Sequence, residues 1–449
     1  MLNRPSLVRR PRAGVRLRNA AAVLALAAAL FTAGAVVLDP LGAPGLPDDF
    51  AAPSRTEGPG GSGSLEALRE RARELPRDPS AWARLGMAHV ERARVSADPA
   101  NYAAAEDALR KSLALQPHGN YTAETGMGAL AAARHDFPRA LTWARAAVTS
   151  NAYSAPAHGV LADAYTQLGR YEEAFAAVQR MSDLRPDASS LARASYAWEL
   201  RGDAPRARAL MNRSLREGAG DAETVFARTH LASLAQDSGD HRRALREAEE
   251  GLRVAPRDPG LLEARARARA ALGDTDGAVA DYTAAIAIVP LPHFLIGLGE
   301  LQEALGHREQ AQTQYALLRA QQRLLRAGGS PPDVDDILFE ADHGRPARAV
   351  AQCRTTLTSR PFLAVHDACA WALHQAGKDS EALHHADEAL ALGTRSALFH
   401  YHRAMIHRSL GNLPGARADL RRALGIDARF HPLHGPAART ALSRIDSNR

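Results

Sequence analysis

Ten of the chain's eighteen histidines fall between His343 and His434, and imidazole suits zinc, copper and nickel. His400 and His407 stand seven apart on one helix face, His366 lies 34 residues before His400, and His385 falls between them. His366, His385, His400 and His407 are therefore a candidate metal set, although no pair has the i, i+4 spacing of a strong metal motif. Histidine also packs as an ordinary half-buried residue. Other chemistry is excluded by spacing. Gly377-Lys378 is the only Gly-Lys pair, but Asp379 follows where a phosphate-cradling loop needs Ser or Thr, and Ala372 stands where it needs glycine. Neither a His-Glu-x-x-His motif nor a Gly-x-Ser-x-Gly elbow after a strand occurs. The acids Asp333, Asp335, Asp336, Glu340 and Asp342 lack the turn glycine of a calcium loop, so they are expected on a solvated helix face. Cys353 and Cys369, the only cysteines, are too few for a four-cysteine zinc site. They are either small core residues or one bridge between adjacent helices. No catalytic residue and no cofactor is expected.

The elements that carry these residues follow from a ladder of alanines. Ala105, Ala140, Ala174, Ala207, Ala244, Ala278, Ala311, Ala349, Ala382 and Ala416 recur at intervals of 33 to 38 residues. From the third onward each follows a glycine by five residues: Gly169, Gly202, Gly239, Gly273, Gly306, Gly344, Gly377 and Gly411. A fixed period near 34 means a repeat array whose core grows by stacking. Around Gly169, Leu161, Ala162 and Tyr165 share one helical face, and Ala174, Val178 and Met181 share another. Two amphipathic helices and a turn result, with alanine at their close crossing and glycine where the first helix ends in positive φ. The expected fold is an all-α solenoid of about ten helix-turn-helix units.

These units resemble the tetratricopeptide repeat (TPR) family, whose pattern is W-x2-L-G-x2-Y, then A-x3-F, then P. Trp82, Leu85 and Gly86 fit its opening, and Met127-Gly128, Leu161-Ala162, Leu231-Ala232 and Leu298-Gly299 fit the next landmarks. Tyr282 and Tyr315 take the aromatic place after the alanine. The resemblance implies that partners lie as peptides or helices on the concave surface built by the first helix of each unit. The residues it assigns there are Asp163, Gln167, Tyr196, Gln236, Arg267, Glu300, Glu303, Trp371, His374, Tyr401 and Arg408. Trp371 and Tyr401, in successive units, are expected to form one aromatic patch. The asparagines and lysines with which relatives clamp a carboxylate tail do not occur on this surface.

The amino terminus reads as an address. Residues 1–19 carry six arginines, and residues 20–38 are an uninterrupted apolar run. As a helix that run is roughly 28 Å long at about 1.5 Å per residue, close to the ~30 Å hydrocarbon core. It is expected to be a transmembrane anchor or a signal peptide, with Ala33-Gly34-Ala35 the possible cleavage pattern, and arginine excess sends the body outward. Residues 39–64, rich in Pro, Gly and Ser, read as a disordered linker. Residues 65–326 read as units one to seven, 331–430 as units eight to ten, with a bend at Gly328-Gly329, and 431–449 as a capping helix and tail. The formal charge of +6 belongs to the leader, because 50 basic and 50 acidic residues remain beyond residue 38. The repeat body therefore has no net pull on nucleic acid. Lysine is confined to Lys111 and Lys378, an arginine bias that fits a GC-rich bacterium. The function expected is a non-enzymatic protein-binding scaffold or assembly factor outside a bacterial membrane, or secreted. The alternative is a metal-handling protein using the four histidines, and no small-molecule substrate is inferred.

Overall fold

The computed structural model describes residues 64–96, 99–327 and 330–447. The expected leader and most of the expected linker lie outside them, as do Gly328 and Gly329. Among the described residues the chain forms 22 helices and no strand, and no helix is long and apolar enough to cross a membrane.

Helix α1 (Leu65–Glu74) precedes ten helix pairs, and α22 (His434–Ser447) follows them. The first three pairs are α2 (Pro79–Ser96) with α3 (Pro99–Leu115), α4 (Tyr121–Ala133) with α5 (Phe137–Ser150), and α6 (Ala155–Gln167) with α7 (Tyr171–Leu184). Next come α8 (Ala188–Leu200) with α9 (Ala204–Glu217), α10 (Asp221–Gln236) with α11 (His241–Val254), and α12 (Pro259–Leu272) with α13 (Thr275–Ile288). The seventh pair is α14 (Pro292–Ala304) with α15 (Arg308–Ala327). The last three are α16 (Val334–His343) with α17 (Pro346–Ser359), α18 (Leu363–Gln375) with α19 (Asp379–Leu390), and α20 (Ala397–Ser409) with α21 (Leu413–Ile426).

Every alanine of the ladder sits on the second helix of its pair and is at most 1% exposed. A longer side chain there would force the helices apart. Seven of the eight turn glycines adopt positive φ, between 68° and 94°. The eighth, Gly344, has φ −131°, so the turn of the eighth unit is built differently. In the second unit His135 takes the left-handed conformation, with φ 59°, five residues before Ala140. The next residue often caps the second helix: Asp136, Asp203, Asp240, Asp274 and Asn412 each accept a hydrogen bond from the backbone N–H three residues on. Each such cap contributes about 1 kcal/mol.

The eighth unit also changes the expected account of its acids. Ile337 and Ala341 enter the core as the apolar pattern requires, yet Asp333 and Glu340 are buried beside them. Burial is tolerated because each carboxylate is paired, Asp333 with Arg360 at 2.6 Å and Glu340 with Arg348 at 3.2 Å. Asp336 accepts from the side chain of Gln322 at 2.7 Å and from the backbone of Asp333. This is a connected polar joint, where the sequence pattern points to a solvated face.

Cys353 on α17 and Cys369 on α18 form a disulfide, with their Cα atoms 5.3 Å apart. Both residues are buried in the largest apolar cluster, which runs through the last three units into α22. Both sequence readings of the cysteines therefore hold at once.

The array coils until it meets itself. The links that follow units eight, nine and ten dock on the turns of units three, four and five. A Cβ on Gly169 would lie 2.5 Å from the carbonyl oxygen of Pro361, and one on Gly239 would lie 2.8 Å from that of Ile426. A Cβ on Gly202 would overlap the carbonyl oxygen of Gly393. The contact advances one unit at a time, so five repeats bring the chain round. Tyr196, Leu200 and Leu363 form an apolar seam across this closure. Polar ties cross it too: the backbone N–H of Leu363 donates to Tyr171 Oη at 2.7 Å, and His241 Nε2 bonds Asp427 at 3.0 Å. Arg429 donates to the carbonyl of Ala271.

Candidate functional site

Because the last units close over the first helices of the middle units, the concave surface becomes a chamber. Its volume is about 870 Å³, within the roughly 300–1,000 Å³ of small-ligand sites. Its walls come from α8, α10, α12, α14 and α16 on one side, and from α18, α20, α22 and the links between them on the other.

Seven carboxylates line it: Glu199, Asp237, Glu263, Glu300, Asp335, Asp342 and Asp427. Their pairing is uneven. Arg267 serves two of them, Asp237 at 3.3 Å and Glu263 at 3.7 Å. Glu300 is held by His431 at 3.0 Å and His343 at 3.1 Å. Burial opposes charge on Glu300, but the two imidazoles prevail and hold its carboxyl below the usual range. Burial likewise disfavours a charged His431, and Glu300 more than offsets it, so the His431 pKa is raised. Asp342 accepts from the indole of Trp371 at 2.8 Å and faces His434 at 3.6 Å. Asp427 is bonded by His241.

Glu199 and Asp335 have no such cation. Burial, and then the charge of Asp237, pushes the Glu199 carboxyl up to about 8. Burial, with Asp333 and Asp336 adding repulsion, pushes Asp335 up to about 7. His293 lies 3.8 Å from Asp335, but burial and then Arg267 push its pKa down to about 4, so it is neutral at pH 7. Arg395, Arg429 and Arg439 also border the chamber, with exposed side chains.

An aromatic wall completes the site. His402 stacks on Trp371 with ring centres 4.3 Å apart, and His434 stacks on Tyr401 at 5.0 Å and on His431 at 4.3 Å. Both oxygens of Asp367 lie 3.0 Å from Nδ1 of His402, which puts the ring's N–H there.

The expected concave residues divide accordingly. Tyr196, Gln236, Arg267 and Glu300 line the chamber. Trp371 and Tyr401 do come together, 5.8 Å between ring centres, but they are only 3% and 5% exposed. They are the packed backing of the wall and offer no open patch. Gln167 is fully buried under Arg360, and Asp163 accepts from Nε and Nη2 of Arg193 at 2.9 and 2.8 Å. Glu303 accepts from Tyr315 Oη at 3.0 Å, His374 bonds Asp379 at 2.5 Å, and Arg408 is exposed. The four candidate metal ligands form two separate pairings. His366 and His385 face each other with Nδ1 atoms 3.1 Å apart, whereas His400 bonds Asp419 at 2.9 Å and His407 lies 3.9 Å from the same carboxylate. Among the described residues no group of three or more His, Cys, Asp or Glu is arranged to hold a metal ion.

The family model for the tetratricopeptide repeat matches residues 125–189, 230–291 and 368–429. These three stretches are tetratricopeptide repeats. Solved structures that match include a thermophilic TPR protein of Thermus thermophilus, 21% identical over 42% of this chain and 98% of that one, with a TM-score of 0.38. The human IFIT1 dimer with m7Gppp-AAAA is 16% identical over 73% of this chain and 76% of that one, with a TM-score of 0.49. Yeast Tom70 is 12% identical over 86% and 92%, with a TM-score of 0.37. No curated protein matches the sequence.

Sequence reasoning passed over Glu199, Asp335, Asp342, His402, His431 and His434 as chamber residues. For Glu199 the signal was present, since it stands three residues before Gly202, as Gln236 does before Gly239. For the others it was not. Asp335 and Asp342 stand on the irregular eighth unit, and His402, His431 and His434 reach the chamber because the array closes on itself, which no repeat spacing encodes.

Proposed function

We propose that this chain is a non-enzymatic TPR scaffold that holds a short segment of a partner protein in its central chamber, outside a bacterial membrane. The observation that carries the reading is the chamber itself. It is built from the first helices of successive repeats, the surface on which the family resemblance puts partners, and its size suits a segment or chain end better than a through-going helix. Its seven carboxylates make it a poor host for phosphate, which speaks against nucleic acid. The buried Cys353–Cys369 disulfide favours an oxidising compartment, in keeping with the arginine-led apolar run at residues 20–38.

Photo-crosslinking from a benzophenone amino acid tests this reading. Placed at Phe399 in the chamber wall, it should capture one protein, and placed at Tyr153 on the exposed outer surface it should not. No product from Phe399, or the same products from both positions, would remove the chamber as the partner site. Alkaline phosphatase fused after residue 449 should be active; an inactive fusion would remove the extracytoplasmic location.

A further inference from the structure

The chamber is charged unevenly, and several groups in its inner wall are acceptors without a donor. Inside it, the fixed positive charge of Arg267 is already shared by Asp237 and Glu263, and His431 serves Glu300. That leaves Glu199 with no cationic partner and Asp335 with only a neutral imidazole at 3.8 Å. A third acceptor is independent of the acids. His402, on the chamber wall and 1% exposed, commits Nδ1–H to Asp367, and its Nε2 has no hydrogen-bond partner. In the neutral ring that nitrogen offers a lone pair. Buried polar atoms without partners are rare, and each calls for an explanation. Acceptors short of donors, in the same lining as the rings of Tyr196, Phe362 and Phe399, describe a host for N–H cations on a carbon stem.

We propose that the chamber binds a cationic group, an ammonium or guanidinium on an aliphatic stem, whose charge is met by the carboxyls of the lining that lack a cation, Glu199 or Asp335. The proposal rests on the partner reading above and gives it a chemistry: the inserted segment carries a basic side chain. The same chemistry also belongs to free polyamines. A ligand of this kind brings the charge that enclosure withholds from the carboxyl it meets, so binding at neutral pH releases protons there.

The test is calorimetric titration of the full chain with N-acetylarginine amide, with spermidine and with N-acetylcitrulline amide, a neutral near-isostere of the first. The arginine probe should bind, the citrulline probe at least tenfold more weakly, and the E199Q/D335N double variant should weaken arginine binding at least tenfold. Proton release should appear as a dependence of the measured heat on the ionisation heat of the buffer. Amides are close in shape to the protonated carboxyls, so the double variant should unfold at the same temperature or higher. If it fails to fold, the arginine-against-citrulline comparison on the unaltered chain still decides. Equal binding of the two probes, no heat with either cation at millimolar concentration, or an unchanged affinity in a folded double variant would each overturn the proposal. Spermidine binding tenfold or more tighter than the arginine probe identifies a free polyamine as the source; the reverse identifies a basic side chain. A protein crosslinked at Phe399 with no cation binding sinks this inference alone, whereas cation binding with no crosslinked protein sinks the partner reading alone.

Discussion

The guanidinium of Arg360 donates to Oε1 of Gln167 at 2.6 Å, joining residues 193 apart in sequence. The same side chain bonds Asp333 at 2.6 Å and lies over the rings of Phe137 and Phe362. One arginine thus ties the third unit, the start of the eighth and the link into the ninth at the point where the array closes.

Removing it should be costly. Arg360→Ala would leave the Asp333 carboxylate and the Gln167 amide buried without the partner each now has. Losing one member of a buried pair costs about 3 kcal/mol or more. Urea denaturation should show a loss of that order, and a change below about 1 kcal/mol would mean that water replaces the guanidinium.

The turn glycines separate two demands that their common spacing hides. Gly377 faces open space, so Gly377→Ala meets only the cost of a left-handed backbone, about 1 kcal/mol. Gly202 has that cost and the carbonyl of Gly393 against it as well. Gly202→Ala should therefore part the closure, seen as a larger radius of gyration in small-angle scattering and as easier proteolysis of the Leu392 to Ser396 link. Equal behaviour of the two variants would mean that the closure does not persist in solution.

This distinction marks how far the sequence was legible. Ten pairs, their turns and their buried alanines follow from spacing, because each depends on contacts within one or two repeats. The closure does not, because it sums small rotations between neighbours over five units, and no residue type reports such a sum. Trp371 and Tyr401 show the consequence. Counting within a repeat assigns them to an inner surface; Asp342, His402, Phe430 and His434, from the adjoining units and the segment after the last one, cover that surface and turn them into core. His135 and the Gly-Asp turns, by contrast, carry readable signals: a non-glycine in a left-handed place and a cap in a fixed position.

The disulfide closes a loop with a sequence separation of 16, for which chain-entropy arguments give a stabilisation of about 3 kcal/mol. Replacing both Cys353 and Cys369 by alanine should lower unfolding stability by about that amount. The unaltered protein, isolated from cells without reductant and denatured, should take up no alkylating reagent. Uptake on both thiols would show that the bridge is absent in the cell and would withdraw its support for an oxidising compartment.

Stability should fall as pH rises from about 6.5 to 8, and three chamber groups set the direction. His431, surrounded by Glu300, Asp342, His434 and Arg267, has a raised pKa: burial lowers it and Glu300 more than restores it. Its contribution is complete below the unfolded value of about 6.5 and is lost as pH climbs through the folded one. Glu199, held up at about 8 by burial and Asp237, and Asp335, held up at about 7 by burial and its acidic neighbours, act in the same sense. Folded, they keep protons that the unfolded chain has released, so folding weakens until their own pKa values are passed. Each group can contribute a slope of at most about 1.4 kcal/mol per pH unit, and partial solvent access reduces it. His293, pushed down to about 4 by burial and Arg267, works the opposite way, but only on the acid side of about 6.5. Urea denaturation from pH 6.5 to 8.5 should therefore show a decline, and E199Q should flatten it and also remove the part of the Glu199 slope that lies between the unfolded carboxyl value of about 4.3 and pH 6.5. A profile that is level in the unaltered chain, or equally steep in the variant, would mean that Glu199 is paired or solvated in the folded protein.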